Sequence, residues 1–276
     1  FFIFPFVGFV ILALINHKLF KMKNIYFLLI ALFASINSYS QYRVFHFVGS
    51  EKGEKNTVKK ILLTDLKESS EVRIKNGDLK GLDIWRTIDG GGDGHTDFVV
   101  VELYDDLTNY HKNRSLGKNL KWSSDKSEKF WKSWNSASSE NGYRIILKVE
   151  AFASKTKELP KIARFNMYRT LSNKMRDKWI ENHKKFSDYF IKGKRDAWGS
   201  GSVIFKPSFV EYNYITVDFF DNENIASYLM DDQKGPGFSQ EMREFWKKED
   251  GSMPNWNKEI RKRVNQLFTK NILSIR

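Results

Sequence analysis

Asp97-Phe98-Val99-Val100-Val101-Glu102-Leu103-Tyr104-Asp105-Asp106 and Asn213-Tyr214-Ile215-Thr216-Val217-Asp218-Phe219-Phe220-Asp221-Asn222 follow one plan. Each starts on an aromatic, runs through a β-branched middle, places an acid near its end, then an aromatic and an Asp. Alternation with β-branched and aromatic enrichment reads as a strand. Two such strands of one pattern make a repeat the first thing to look for.

The flanks carry the same order of signals. Upstream of the first copy lie the strand-like Val44-Phe45-His46-Phe47-Val48 and a helix with Val58, Ile61, Leu62, Leu66, Ser69 and Val72 on one face. Ile74-Lys75-Asn76-Gly77 then suits a helix end, and Gly81-Leu82-Asp83-Ile84-Trp85-Arg86 a second strand. Upstream of the second copy come Arg164 to Tyr168, a helix bearing Met175, Trp179, Phe186 and Phe190, then Ile191-Lys192-Gly193-Lys194 and Gly201 to Phe205. Downstream, Leu120 to Trp134 reads as helix and Tyr143 to Glu150 as a fourth strand. In the second copy Phe238 to Trp246, then Trp256, Ile260, Val264 and Phe268, read as helix, and the fourth strand is missing or reduced to Ile272 to Ile275. Ser154 to Lys161, ended by Pro160, reads as the linker.

Strand, helix, strand, strand, helix, strand is the split βαβ, ferredoxin-like order. The expected fold class is therefore α+β, with two tandem ferredoxin-like units packed sheet to sheet, over residues 41–155 and 156–276. In this order, over roughly residues 42 to 270, the chain resembles the dimeric α/β-barrel superfamily in a tandem, single-chain form. Its members include antibiotic-biosynthesis-monooxygenase-like, ethyl-tert-butyl-ether-degradation-like and NIPSNAP-like proteins. The resemblance implies a barrel and, by analogy, cofactor-independent monooxygenase chemistry.

Ahead of the repeat, Lys21-Met22-Lys23 precedes the apolar run Ile25 to Ala34, and Ser38 and Ser40 stand where signal peptidase reads before Gln41. Residues 22–40 read as a signal peptide and 1–21 as an upstream segment. The rival reading, a membrane hairpin from Phe1 to Ile15 and the second run, falls short of the roughly 18 to 20 apolar residues a crossing needs. The expected location is the periplasm or beyond, with no stable membrane insertion after cleavage. No Cys is present, which removes disulfides, thiolate metal sites, Cys nucleophiles and a lipoprotein anchor. The formal charge is +13, of which Lys18, Lys21 and Lys23 carry three. Such a basic chain suits an anionic envelope surface or acidic polysaccharide, although its Lys and Arg are interleaved with acids. Nucleic acid is not an expected partner.

Alternation divides each strand into two faces. Val99, Val101 and Leu103, with Ile215, Val217 and Phe219, form a uniformly apolar face, expected under the helices together with Phe45 and Phe47. The mixed face, Phe98, Val100, Glu102 and Tyr104 with Tyr214, Thr216, Asp218 and Phe220, is then expected to line the space between the sheets, joined by His46, Asn166, Tyr168 and Arg86. Aromatic walls with a few convergent polar groups suit a small, partly apolar ligand. His46 beside a carboxylate suits a general base, so His46, Glu102 and Asp218 are the candidate catalytic residues. The bland alternative has the acids at the rim, paired with Arg86 and Lys206.

Weaker signals point elsewhere. Asp89 to Asp97 is Gly-rich with acids four apart, which departs from the EF-hand spacing and suits a hairpin connection. His183 invites comparison with the haem ligands of some barrel relatives, but one His makes no site, and no cofactor or metal is expected. Phe130, Trp131 and Trp134, like Phe245, Trp246 and Trp256, recur at helical spacing and read as core stripes. No nucleophile elbow, phosphate loop or His-Glu-x-x-His pattern is present, which disfavours hydrolase and nucleotide chemistry. The sequence thus supports three readings: a ligand-binding module, a cofactor-independent monooxygenase-like enzyme, and a basic structural protein of the envelope.

Overall fold

A computed structural model describes residues 41–90, 96–112, 114–191, 195–221, 244 and 261–276. The leader, His95 in the Gly-rich loop, Lys192 to Lys194, Ile260, and the helix expected over 238–246 and Trp256, save Glu244, lie outside the described residues.

Eight strands form one closed antiparallel barrel: β1 (Tyr42–Val48), β2 (Gly81–Gly90), β3 (Phe98–Tyr104), β4 (Tyr143–Ser154), β5 (Ile162–Thr170), β6 (Ala197–Phe205), β7 (Tyr214–Phe220) and β8 (Arg261–Ile275). The order around it is β1-β3-β2-β8-β5-β7-β6-β4. Started at β4, it reads β4-β1-β3-β2 and then β8-β5-β7-β6. The seams between these runs are β2 with β8, through Trp85 opposite Asn271, and β4 with β6, through Leu147 opposite Val203. The helices are α1 (Lys55–Ile61), a π-helical turn (Leu62–Leu66) and α2 (Lys67–Lys75) in succession, a short α3 (Leu116–Asn119), α4 (Ser124–Ala137) and α5 (Asn173–Ile191).

Both third strands are buried along their whole length, because each is covered on two sides. One side is the barrel interior, where Phe45, Trp85, Val101, Phe165, Val217 and Phe219 from both halves of the chain meet. Their rings pack edge to face: Phe45 on Phe165 at 5.7 Å and Trp85 on Phe165 at 6.0 Å. Such pairs add about 0.5–1.5 kcal/mol each beyond area burial. The other side is the layer under the helices, where Val44, Phe98, Val100 and Tyr104 meet Val58 and Leu62.

This inverts the expected faces. The uniformly apolar set Val99, Val101, Leu103, Ile215, Val217 and Phe219, with Phe45 and Phe47, fills the barrel, and the mixed set lies under the helices. The physical reason is access. Few elements other than strands reach the barrel interior, so its side chains must satisfy one another. The helical layer delivers arginines, and a mixed face tolerates burial where charges find partners.

Two further expectations are corrected. Val264 and Phe268 belong to β8 and not to a helix, and the fourth strand of the second half is the longest of the eight. A spacing of four residues fits both a helical turn and one face of a strand, so the pair could not discriminate. The helix expected over 120–134 starts instead at Ser124, where the Ser123 side chain caps the Lys126 amide, and Lys121 with φ of 51° breaks it from α3. Of the aromatic stripe on α4, Phe130 is buried but Trp131 is 46% exposed.

Candidate functional site

The layer under the helices holds two buried carboxylates at the same position of the two third strands, Glu102 in β3 and Asp218 in β7. Their surroundings differ. Asp218 accepts from Arg164 Nε at 2.9 Å and Nη2 at 2.7 Å, from Asn166 Nδ2 at 3.0 Å, and from Arg195 Nε at 2.5 Å. Asn166 in turn accepts from Gln266 at 2.9 Å. Asp218 and the three side chains that bond to it are all buried. Burial pushes the Asp218 carboxyl up, but the two guanidiniums outweigh it and hold it well below the ordinary carboxylate range. Nearby His183 of α5 is enclosed by Trp179, Trp198 and Tyr214, with Nδ1 2.9 Å from the Tyr214 hydroxyl. Tyr168 stacks edge to face on Trp179. This second layer is a closed polar core.

The first layer opens to solvent. Glu102 Oε1 accepts from Arg73 Nη1 at 2.5 Å, and Oε2 lies 3.2 Å from His46 Nε2, 3.0 Å from the Tyr104 hydroxyl and 3.4 Å from Arg114 Nη1. Arg73 Nη2 also donates to the Tyr104 hydroxyl at 2.6 Å. The Glu102 and Arg73 side chains are each 4% exposed, whereas His46 is 25% and Arg114 27%. Burial raises the Glu102 carboxyl, but the bond to His46 and the charges of Arg114 and Arg73 outweigh it, so Glu102 is a fixed anion. Burial and the Glu102 charge push the Tyr104 hydroxyl up, so it stays neutral and donates. His46 faces Glu102 through Nε2, and its Nδ1 makes no hydrogen bond to a described residue. Among the described residues, Glu102 is the one hydrogen-bonded partner of the His46 side chain.

Tyr110 forms the floor beside this pair. Arg114 stacks over its ring at 4.3 Å, and Arg144, opposite His46 in the strand register, at 5.6 Å. Its buried hydroxyl has no hydrogen-bond partner among the described residues. Two guanidiniums, Arg73 and Arg114, flank the one carboxylate, and a third, Arg144, stands over the Tyr110 ring, which makes the opening cationic.

Thus His46, Glu102 and Tyr104 come together as the sequence suggests, but under the helices and not between the sheets. Asn166, Tyr168, Tyr214 and Asp218 come together in the other layer, apart from His46. Phe98 joins the apolar core under α1. Arg86 is exposed and pairs with neither acid, and Lys206 donates to the Val210 carbonyl. Asp97, at the end of the Gly-rich loop, is taken up by Lys55 and Ser50. Sequence reading missed Arg73, Arg114, Tyr110, Arg164 and Arg195. An arginine at Arg73, next to small buried Ser69 and Ser70, was the signal available.

Among the described residues, no cluster of three or more His, Asp or Glu fits a metal ion, and no helix is long and apolar enough to cross a membrane.

The chain is a closed eight-stranded barrel with helices outside and a polar layer beneath them, and solved structures share this architecture. A candidate monooxygenase from Fusobacterium nucleatum subsp. nucleatum matches with a TM-score of 0.51 at 11% identity, over 86% of this chain and 94% of its own. One from Lactobacillus acidophilus matches at 0.50 and 11%, over 84% and 94%. An anthrone oxidase-like protein matches at 0.52 and 7%, over 87% and 94%. At these identities the likeness is one of fold. No protein-family model and no curated protein matches the sequence.

Proposed function

We propose that the chain is an exported enzyme of the cofactor-independent monooxygenase kind, in which His46 removes a proton from an activated aromatic substrate. The observation that carries this is the His46–Glu102 contact at 3.2 Å. A buried anion, held by arginines, orients an imidazole whose other nitrogen faces a solvent-reached opening. A base of this kind contributes typically 10²- to 10⁴-fold. Arg114 and Arg144 stand where they would stabilise the anion formed, and the Tyr110 ring offers a stacking surface. For a methylene between aromatic rings, deprotonation followed by reaction with dioxygen gives a carbonyl and water. The substrate supplies all four electrons, so the balance needs no cofactor. The fold likeness to candidate monooxygenases and to an anthrone oxidase-like protein agrees with this at the level of architecture.

Oxygen uptake with anthrone as substrate tests the reading. The native chain is expected to consume oxygen, and His46→Gln to lose about a hundredfold or more of the rate. An unchanged rate in His46→Gln, or no uptake by the native chain with anthrone and related hydroxylated aromatics, rejects it.

Two proposals accompany this one. Residues 22–40 direct export with cleavage before Gln41, which the intact mass of protein recovered from outside the cytoplasm measures. The halves of the barrel are tandem copies of one ferredoxin-like unit, a reading supported by the strand orders β4-β1-β3-β2 and β8-β5-β7-β6 and by the matching acids Glu102 and Asp218.

A further inference from the structure

The barrel interior is filled by aromatic and aliphatic side chains except toward one end, and a cation stands there. On β1 the odd residues point inward, so Arg43 enters the interior two positions before Phe45, on the opposite face from His46. Its guanidinium lies 5.4 Å over the Phe152 ring. The Arg43 side chain makes no hydrogen bond to any described residue, and its Nε is buried without an acceptor. The acid whose field it feels, Asp83, is already engaged: Asp83 accepts from Ser274 Oγ at 2.7 Å and from Arg276 at 2.8 and 3.2 Å. Burial pulls the Arg43 pKa down, Asp83 opposes this, and the positive charge of Arg276 adds to it.

Beside this guanidinium is a pocket of about 300 Å³, counted out to its open mouth, with Phe45, Leu147 and Val217 as walls. Gly199 and Gly201 form part of its lining and put no side chain into it. A Cβ at 201 would lie 2.9 Å from the Lys148 carbonyl oxygen, so glycine is required at that position. The enclosed part is narrow, with room for little more than a water molecule before the walls adjust.

We propose that this pocket binds a small carboxylate with an apolar body, the carboxylate on Arg43 and the body against Phe45, Leu147 and Val217. The Nε of Arg43 is buried without an acceptor while the guanidinium is only partly enclosed, and a carboxylate matches its fork with two parallel hydrogen bonds. Free phosphate fits less well, because it would gain nothing from the apolar walls and would lose its hydration. The site lies across the sheet from His46 and does not depend on the enzyme reading.

The test is calorimetric titration of the purified chain with sodium hexanoate, with hexan-1-ol and inorganic phosphate alongside. Hexanoate is expected to bind saturably and raise Tm, while the alcohol and phosphate bind at least about tenfold more weakly. Arg43→Met is expected to lose hexanoate binding by a similar factor. Ala151→Leu, which puts a larger side chain into the pocket and leaves Arg43 in place, is expected to abolish binding while the far-ultraviolet circular dichroism stays native. The proposal is overturned by undiminished hexanoate binding in Arg43→Met, by phosphate binding as tightly as hexanoate, or by no saturable hexanoate binding to the native chain.

Discussion

Glu102 accepts bonds from Arg73 and the Tyr104 hydroxyl while facing His46 and Arg114, and Asp218 is held by Arg164, Arg195 and Asn166. Both carboxyls titrate below their ordinary range in the folded chain. A carboxyl whose folded pKa lies below its unfolded value contributes stability above the unfolded value, about 4, and loses it as pH falls toward the folded one. Urea midpoints are therefore expected to hold between pH 7 and 5 and to fall as the solution is taken to pH 3. Glu102→Gln leaves the buried Arg73 guanidinium without its counter-charge and is expected to cost about 3 kcal/mol at neutral pH. Its loss of stability on going to pH 3 should be smaller than in the native chain, because one of the two responsible protons is no longer taken up. Asp218→Asn is expected to cost a similar amount and to leave turnover by His46 in place. The two clusters share no partner, so the losses in the double variant should add. Equal acid sensitivity in native and Glu102→Gln chains would show that other groups govern the acid limb.

At the scale of the element, the π-helical turn Leu62–Leu66 decides which residue meets Glu102. A continuous α-helix from Lys55 would carry Val58, Leu62, Ser69 and Val72 on one face, the face the sequence suggests. A π turn inserts one residue and so rotates the residues beyond it by roughly 100°. Past the turn the buried residues are Ser69, Ser70 and Arg73, and Val72 is turned partly outward. Constant 3.6-residue periodicity places Arg73 toward the edge of that face, between Ser69 and Leu66, where an arginine reads as reaching past the core to solvent; the turn moves it inward and Val72 outward. Val58 and Ile61, which precede the turn, and Leu62, which opens it, were legible. Deleting Thr64 is expected to restore a regular helix, swing Arg73 off Glu102 and bring Val72 beneath. The prediction is a loss of about 3 kcal/mol or more in urea unfolding, with the near-ultraviolet signal of the tyrosines altered. A deletion variant as stable as the native chain, still destabilised by Glu102→Gln, would mean that the turn does not set the position of Arg73.

Over the whole molecule, strand positions and their alternation were readable from local pattern, and the inward face was not. Alternation separates Glu102 and Tyr104 from Val101 and Leu103 without saying which pair is inside. What decides it is non-local: Arg73 and Arg114 reach Glu102 from elements outside the barrel, and Arg195 reaches Asp218 from beyond α5. The apolar set must then close the barrel, and closure has a consequence for the proposed duplication. On the proposed duplication β2 would correspond to β6 and β4 to β8, and the seams β2 with β8 and β4 with β6 would be the same contact made twice. Residues 41–155 alone would expose Phe45, Phe47, Trp85, Val101, Ile145 and Leu147 on one sheet face, together with two unpaired strand edges. An apolar patch of that kind seeks a partner, and a second copy offers both the matching face and the matching edges. The isolated half is therefore expected to sediment as a two-fold dimer at micromolar concentration, and Val101→Asp in that half to abolish dimerisation and cooperative unfolding together. A half that stays monomeric and still unfolds cooperatively would show that its apolar face needs no partner, and with it the proposed equivalence of the two seams would fall.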